Sequence, residues 1–111
     1  MIVASLPANG PDGALRQLQT ELLQRVSQRR IQGVVLDVSA VEIMDSFSAR
    51  TLRTVAAAVG LCGSRAVVAG IQPEVAFAMT QLGVDLAGIP TALDLDDAIA
   101  ELEASAGGFH G

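Results

Sequence analysis

The sequence predicts an α/β domain: a mixed, mostly parallel sheet of about four strands with four helices. Two observations carry this. Short apolar runs alternate with longer segments whose apolar residues recur every three or four positions, an order β-α-β-α-β-α-β-α that goes with parallel strands and right-handed crossovers. The run Val34-Val35-Leu36-Asp37-Val38 is apolar but for one acid, which suits an inner strand covered on both faces. A length of 111 residues argues for one domain, read as residues 1–104 with a flexible tail over 105–111.

Ile2 to Leu6 reads as a first strand, ended by Pro7, Asn9, Gly10 and Pro11. Asp12 can cap the helix that follows, whose inner face is Leu15, Leu18, Leu22 and Val26. Gln32-Gly33 stops it, and Val34–Val38 is the second strand. A second helix starts near Ser46 with Phe47, Leu52, Val55, Ala56 and Val59 inward, and Gly60 and Gly63 end it. Arg65 to Gly70 is the third strand. Gln72-Pro73-Glu74 opens a third helix, since proline is favoured in a first turn and an acid complements the positive helix start. Its buried stripe is Val75, Ala76, Met79 and Leu82, with Gly83 as its C-terminal cap. Ala87 to Thr91 is a weak, short fourth strand whose Pro90 suggests an edge or an interrupted end. Asp94 caps a last helix with Leu95, Ala98, Ile99 and Leu102 inward.

Half the residues are hydrophobic, yet there are three Phe and no Trp or Tyr, so the core is built from Leu, Val, Ile and Ala. The formal net charge is −5, and the seven basic residues are all Arg. An acidic chain without a basic cluster is a poor candidate for binding nucleic acid or an anionic membrane. No apolar run approaches the roughly 20 residues that span a bilayer. Met1 to Leu6 lacks the basic start of a signal peptide. The expectation is a soluble, cytoplasmic protein.

Catalytic signatures are missing. One cysteine, Cys62, excludes an internal disulfide, and Cys62 with the single histidine, His110, cannot build a His/Cys metal site. There is no Walker lysine, because there is no lysine. Ser46 has no usable histidine base. Cys62, Met44 and Met79 read as packing residues, and His110 as a solvated tail residue. No enzyme, no cofactor and no metal is expected.

What remains is a hydroxyl, Ser46, delivered to a helix start by the loop after a buried strand. Two readings stand. Asp45 or Ser46 simply caps the helix. Alternatively Ser46 accepts a phosphate, which adds nearly two negative charges and three acceptor oxygens. The helix-start amides would favour it; Glu42 and Asp45 would repel it. Arg50, one turn on, could reach the phosphate or Asp45. Asp37 is either a carboxylate bonded to loop amides or a group that positions the hydroxyl loop.

At these residues the chain resembles STAS domains, the anti-sigma-factor antagonist family with the SpoIIAA-like fold, and within it the single-domain scaffold subunits of bacterial stressosomes, the RsbS type. Gly33-Val34-Val35-Leu36-Asp37-Val38 with Ile43-Met44-Asp45-Ser46-Phe47 carries the general likeness. The run from Val67 through Gly70-Ile71-Gln72-Pro73-Glu74 to Ala76 carries the more specific signal. So does Leu82-Gly83-Val84-Asp85 through Thr91-Ala92-Leu93-Asp94-Leu95 to Ala98.

The resemblance implies a non-enzymatic phospho-switch scaffold. Ser46 is then the phosphorylation site, with Asp37, Asp45 and Arg50 supporting it. The implied partners are a STAS-containing sensor paralogue in a homo- or hetero-oligomer, a serine/threonine switch kinase of the histidine-kinase-like ATPase fold, and a PP2C-type phosphatase. The unmodified scaffold holds the kinase, and phosphorylation releases it to a pathway that often frees a sigma factor. The resemblance also admits a simple antagonist binding one anti-sigma factor directly, or a regulatory STAS domain of a transport system acting in trans. It further implies a strand before Ile2–Leu6, so either the start is truncated or the sheet has one strand fewer. The phosphorylatable threonine of sensor paralogues has no counterpart in Asn9–Gly13, while Ser48 is an added hydroxyl near Ser46.

Overall fold

The computed structural model describes residues 1–6, 12–29, 31–86 and 88–107. The elements run β1 (Ile2–Ser5), α1 (Asp12–Arg29), β2 (Gly33–Asp37), α2 (Ser46–Leu61), β3 (Arg65–Ala69), α3 (Pro73–Gln81), β4 (Thr91–Ala92) and α4 (Leu95–Gly107). The strands form one sheet in the order β1-β2-β3-β4. Each of the three pairings is parallel, so among the described residues the sheet is wholly parallel rather than mixed.

Alternation along β2 and β3 explains why their sequences are continuously apolar. Val34, Leu36, Ala66 and Val68 point to one face, where Leu22 and Val26 of α1, Leu52 and Val59 of α2, and Val75 and Met79 of α3 meet them. Val35, Val67 and Ala69 point to the other face, which Ala98 and Leu102 of α4 cover. Successive strand side chains take opposite faces, so a strand covered twice must be apolar at every position. Val34, Val35 and Leu36 are fully buried, as the inner position of β2 requires. The helices thus lie mainly on one face, three against one.

Several elements differ from the sequence reading. The fourth strand is only Thr91–Ala92. Pro90 has no N–H to give the ladder and contributes its carbonyl alone, accepting from the Val68 N–H at 3.0 Å. Just before it, Ile89 N–H turns back to Leu86 O at 2.9 Å. In α2, Ala49 is fully buried, while Phe47 is only half-buried beneath the Arg16 guanidinium, 5.3 Å from its ring centroid. In α3, Val75 and Met79 are buried, but Ala76 is exposed and Leu82 is 38 % exposed, because Leu82 lies past the last helical turn. Asp94 does cap α4, its Oδ1 accepting the Asp97 N–H at 2.9 Å. Gly83, with φ +74°, follows α3 as the expected cap.

The turn expected through Pro7, Asn9, Gly10 and Pro11 lies outside the described residues, as does His110. Of the tail expected over 105–111, residues 105–107 continue α4 and 108–111 lie outside the described residues. No described helix is long and apolar enough to cross a membrane.

Candidate functional site

The candidate site is the connection from β2 to α2, at the C-terminal end of the parallel sheet. The end of β2 is tied on both sides. Leu6 N–H donates to Asp37 O, and Val38 N–H donates to Ala69 O, each at 2.9 Å. The Asp37 carboxylate then accepts the Ser39 N–H at 2.9 Å, which turns the chain out of the sheet. Asp37 therefore shapes the loop by bonding a loop amide, and its carboxylate makes no hydrogen bond to Ser46 among the described residues.

Three apolar side chains pin the loop to the core: Val38, Val41 and Met44, all 5 % exposed or less. The residues between and after them, Glu42, Ile43, Asp45 and Ser46, face solvent. This in-out pattern fixes the backbone while leaving Glu42, Ile43 and Ser46 on the surface. Ile43 is 79 % exposed, an unusual position for a large apolar side chain beside a polar site.

Asp45 is the N-cap of α2. Its backbone is extended, its carbonyl accepts the first helical bond from Ala49 N–H at 3.0 Å, and its Oδ1 accepts the Ser48 N–H at 2.7 Å. Capping therefore falls to Asp45 and not to Ser46. Ser46 is the first residue inside the helix, exposed, with its hydroxyl uncommitted among the described residues. The Ser48 amide, followed by the Ser48 hydroxyl, holds the Asp45 carboxyl below its ordinary value of 3.8, so it is ionised at neutral pH. Ser48 is half-buried and engaged with Asp45, whereas Ser46 stands clear.

The cations are arranged differently from the sequence reading. Arg50 is exposed and makes no ion pair with Asp45 among the described residues. Arg16 of α1 instead stacks on Phe47, the neighbour of Ser46. Two further residues brace the loop from the next crossover. Gln72, at the start of α3, donates its Nε2 to Ser39 O at 2.8 Å. Gly70, with φ +78°, lies so close to Ser39 that a Cβ on it would sit 2.9 Å from the Ser39 Cβ. Neither role was read from the sequence. A glycine directly after an apolar strand was the available signal for Gly70; Gln72 had none, its partner being 33 residues away.

Cys62 corrects the packing role expected of it. It is exposed, in the turn that caps the end of α2, with its N–H on Ala58 O at 3.0 Å. That turn faces solvent, and Leu61 beside it is 91 % exposed. Met44 and Met79 are core residues, 5 % and 4 % exposed. No group of three or more His, Cys, Asp or Glu among the described residues is placed to hold a metal ion.

Comparison with known proteins gives consistent likenesses. The family model of the STAS domain matches residues 13–98. The RsbT co-antagonist protein RsbRA of Bacillus subtilis (strain 168) is 33 % identical over 92 residues, covering 74 % of this chain and 34 % of its own length. The chain thus spans about a third of that relative. Among solved structures, a serine-to-glutamate variant of RsbS from Moorella thermoacetica superposes with a TM-score of 0.84 at 34 % identity, over 94 % of this chain and 88 % of that one. A chain from the molecular architecture of the stressosome, described as a signal integration and transduction hub, gives 0.79 at 32 % identity, over 94 % and 90 %.

Proposed function

The chain belongs to the STAS domain family, and from that premise we propose that it is a non-catalytic phospho-switch scaffold of a bacterial stressosome. In this reading it binds a serine/threonine switch kinase while Ser46 is unmodified and releases it once Ser46 is phosphorylated. The kinase transfers the γ-phosphoryl group of ATP to Ser46 Oγ; the serine proton is lost and ADP leaves. A PP2C-type phosphatase hydrolyses the ester and resets the switch. The scaffold works in the cytoplasm, in an oligomer with sensor paralogues that carry a STAS domain of their own.

One observation carries the reading: Ser46 is an exposed hydroxyl at the first position of α2, left free because Asp45 does the capping. Its chemistry suits a modifiable group more than a nucleophile, since no side-chain base is hydrogen-bonded to Ser46 among the described residues and the chain has no lysine. The exposed Ile43, three residues before, offers a docking kinase apolar area next to the serine. The likenesses to RsbRA and to RsbS support the assignment to this kind of assembly.

The test is mass spectrometry after incubation with a purified serine/threonine switch kinase of a stressosome and ATP. Single modification at Ser46 is expected, and none on incubation with ATP and magnesium alone. Modification at Ser48 with Ser46 untouched, or stoichiometric self-phosphorylation, would remove the reading. Sedimentation with a purified sensor paralogue then separates a scaffold, which co-sediments, from a simple antagonist that binds one anti-sigma factor by itself.

A further inference from the structure

At the other end of the sheet from Ser46 lies a groove of about 740 Å³ between the end of α2 and the segment leading into β4. Among the described residues its polar lining is Arg53, Arg65, Gln32 and Ser64, with no Asp or Glu, although the chain as a whole carries a net charge of −5. Ile89, Pro90 and Ala56 supply an apolar wall.

Ser64 gives this groove its significance. The residue is 6 % exposed, and its Oγ is the one buried side-chain polar atom without a hydrogen-bond partner among the described residues. Its N–H is satisfied by Val59 O at 3.1 Å, so only the hydroxyl is orphaned. Buried polar groups are nearly always bonded, so an orphan in a native structure asks for an explanation, an absent partner being one. The two guanidinium groups are also available. Arg53 is exposed and makes no ion pair among the described residues. Arg65 meets Glu101 at a long 3.4 Å with both side chains well exposed, a pair that contributes little and can be exchanged.

We propose that this groove binds a small organic anion, its phosphate or carboxylate head between Arg53 and Arg65 with a hydrogen bond from Ser64 Oγ, and its apolar body against Ile89 and Pro90. Guanidinium forks match both oxyanions in geometry and charge. The Ser64 hydroxyl is closed from solvent as it stands, so its bond to the head group requires a change of the Ser64 rotamer. The site does not overlap the candidate phosphorylation site: Ser46 and Gly60 are at opposite ends of the 16-residue α2, about 20 Å apart at 1.5 Å per residue. Failure of one therefore says nothing of the other.

Amide chemical shifts of the full chain, followed by NMR at constant ionic strength, test this with three probes: phenyl phosphate, benzoate and inorganic phosphate. Saturable shifts at Ser64, Gly60 and Gly63 are expected with phenyl phosphate or benzoate, whichever head the site prefers, and weaker ones with inorganic phosphate, which lacks the apolar body. Arg53→Ala should weaken the organic probe by about tenfold or more. Ser64→Ala should weaken it too, with a melting temperature equal to or above the parent's, since it removes an unpaired buried hydroxyl. Gly60→Leu should abolish binding while the chain stays folded by circular dichroism, because a Cβ at Gly60 meets nothing within 4 Å and the added side chain occupies the groove. No saturable shift with any probe up to about 10 mM, or shifts undiminished in both Arg53→Ala and Gly60→Leu, would overturn the proposal.

Discussion

Ser48 donates its backbone N–H to Asp45 Oδ1 at 2.7 Å, and this bond holds the start of α2 one residue ahead of Ser46. The bond favours the ionised carboxylate, which is why the Asp45 carboxyl lies below its ordinary value. The sign follows directly. A carboxyl depressed in the folded state contributes stability above its unfolded value, near 3.8, and loses it as pH falls through the folded value.

Asp45→Asn should keep the cap, since an amide oxygen accepts the same N–H, and should lose this part of the acid sensitivity. Asp45→Ala should lose the cap at every pH, lower the unfolding midpoint, and speed exchange of the Ser48 amide. Denaturant midpoints of the three proteins at pH 7 and pH 3 check this. The parent–Ala difference should shrink at the lower pH. A difference that grows on acidification would show the bond to be misassigned.

Gly70→Ala should destabilise by at least about 2 kcal/mol. The positive φ of Gly70 alone costs an L-residue about 1–2 kcal/mol. Its new Cβ would also press on Ser39, at 2.9 Å from the Cβ and 3.2 Å from the Cα. Ser39 bonds both Asp37 and Gln72, so the strain passes into the loop that carries Ser46. Equilibrium denaturation measures the loss; a midpoint equal to the parent's would mean that the two loops do not approach as closely as described.

Leu36→Ala should cost about 2–5 kcal/mol, as deletions of packed leucines do. Leu36 is fully buried on the three-helix face of β2, where its neighbours are held by separate elements and cannot all collapse into the gap. An unchanged denaturant midpoint would contradict its place in the core.

The legible parts of this molecule were those set by local pattern. Val34–Val38 announced an inner strand because both faces demand apolar side chains, and Asp45-Ser46 announced a helix start because short polar side chains cap. The illegible parts depend on tertiary neighbours. Phe47 has the spacing of a buried residue, yet Arg16 from another helix covers it and Ala49 takes the inner position. Arg50 has the spacing of a partner for Asp45, but the Ser48 amide occupies that carboxylate. Gln72 reads as a helix-start residue and turns out to brace Ser39, a contact that no local periodicity encodes. The fourth strand was misplaced because Pro90 joins the ladder by its carbonyl alone.

Ser46 should control the affinity for the switch kinase by its charge. In the unmodified state the loop presents a hydroxyl between the exposed Ile43 and the first turn of α2, with the Asp45 negative charge already committed to the Ser48 amide. A kinase can approach that surface at modest electrostatic cost. A phosphate on Ser46 adds nearly two negative charges beside Asp45 and Glu42. The nearby Arg50 carries one positive charge and is free to answer it, so part of the added charge stays uncompensated. An acidic chain thereby becomes more acidic at the proposed docking surface, and the desolvation of a phosphate opposes apolar contact at Ile43. Each penalty of about 1.4 kcal/mol is tenfold in affinity. Ser46→Ala should therefore bind the kinase as the parent does and never be modified. Ser46→Asp should bind about threefold to tenfold more weakly, short of the phosphoprotein because one carboxylate carries less charge. Ile43→Ser should weaken the unmodified complex without preventing phosphorylation at high kinase concentration. Titration calorimetry of the parent, its Ser46 phosphoprotein and the three variants against the kinase checks these outcomes. Equal affinity for the parent and the Ser46 phosphoprotein would leave Ser46 a helix-start residue with no part in release.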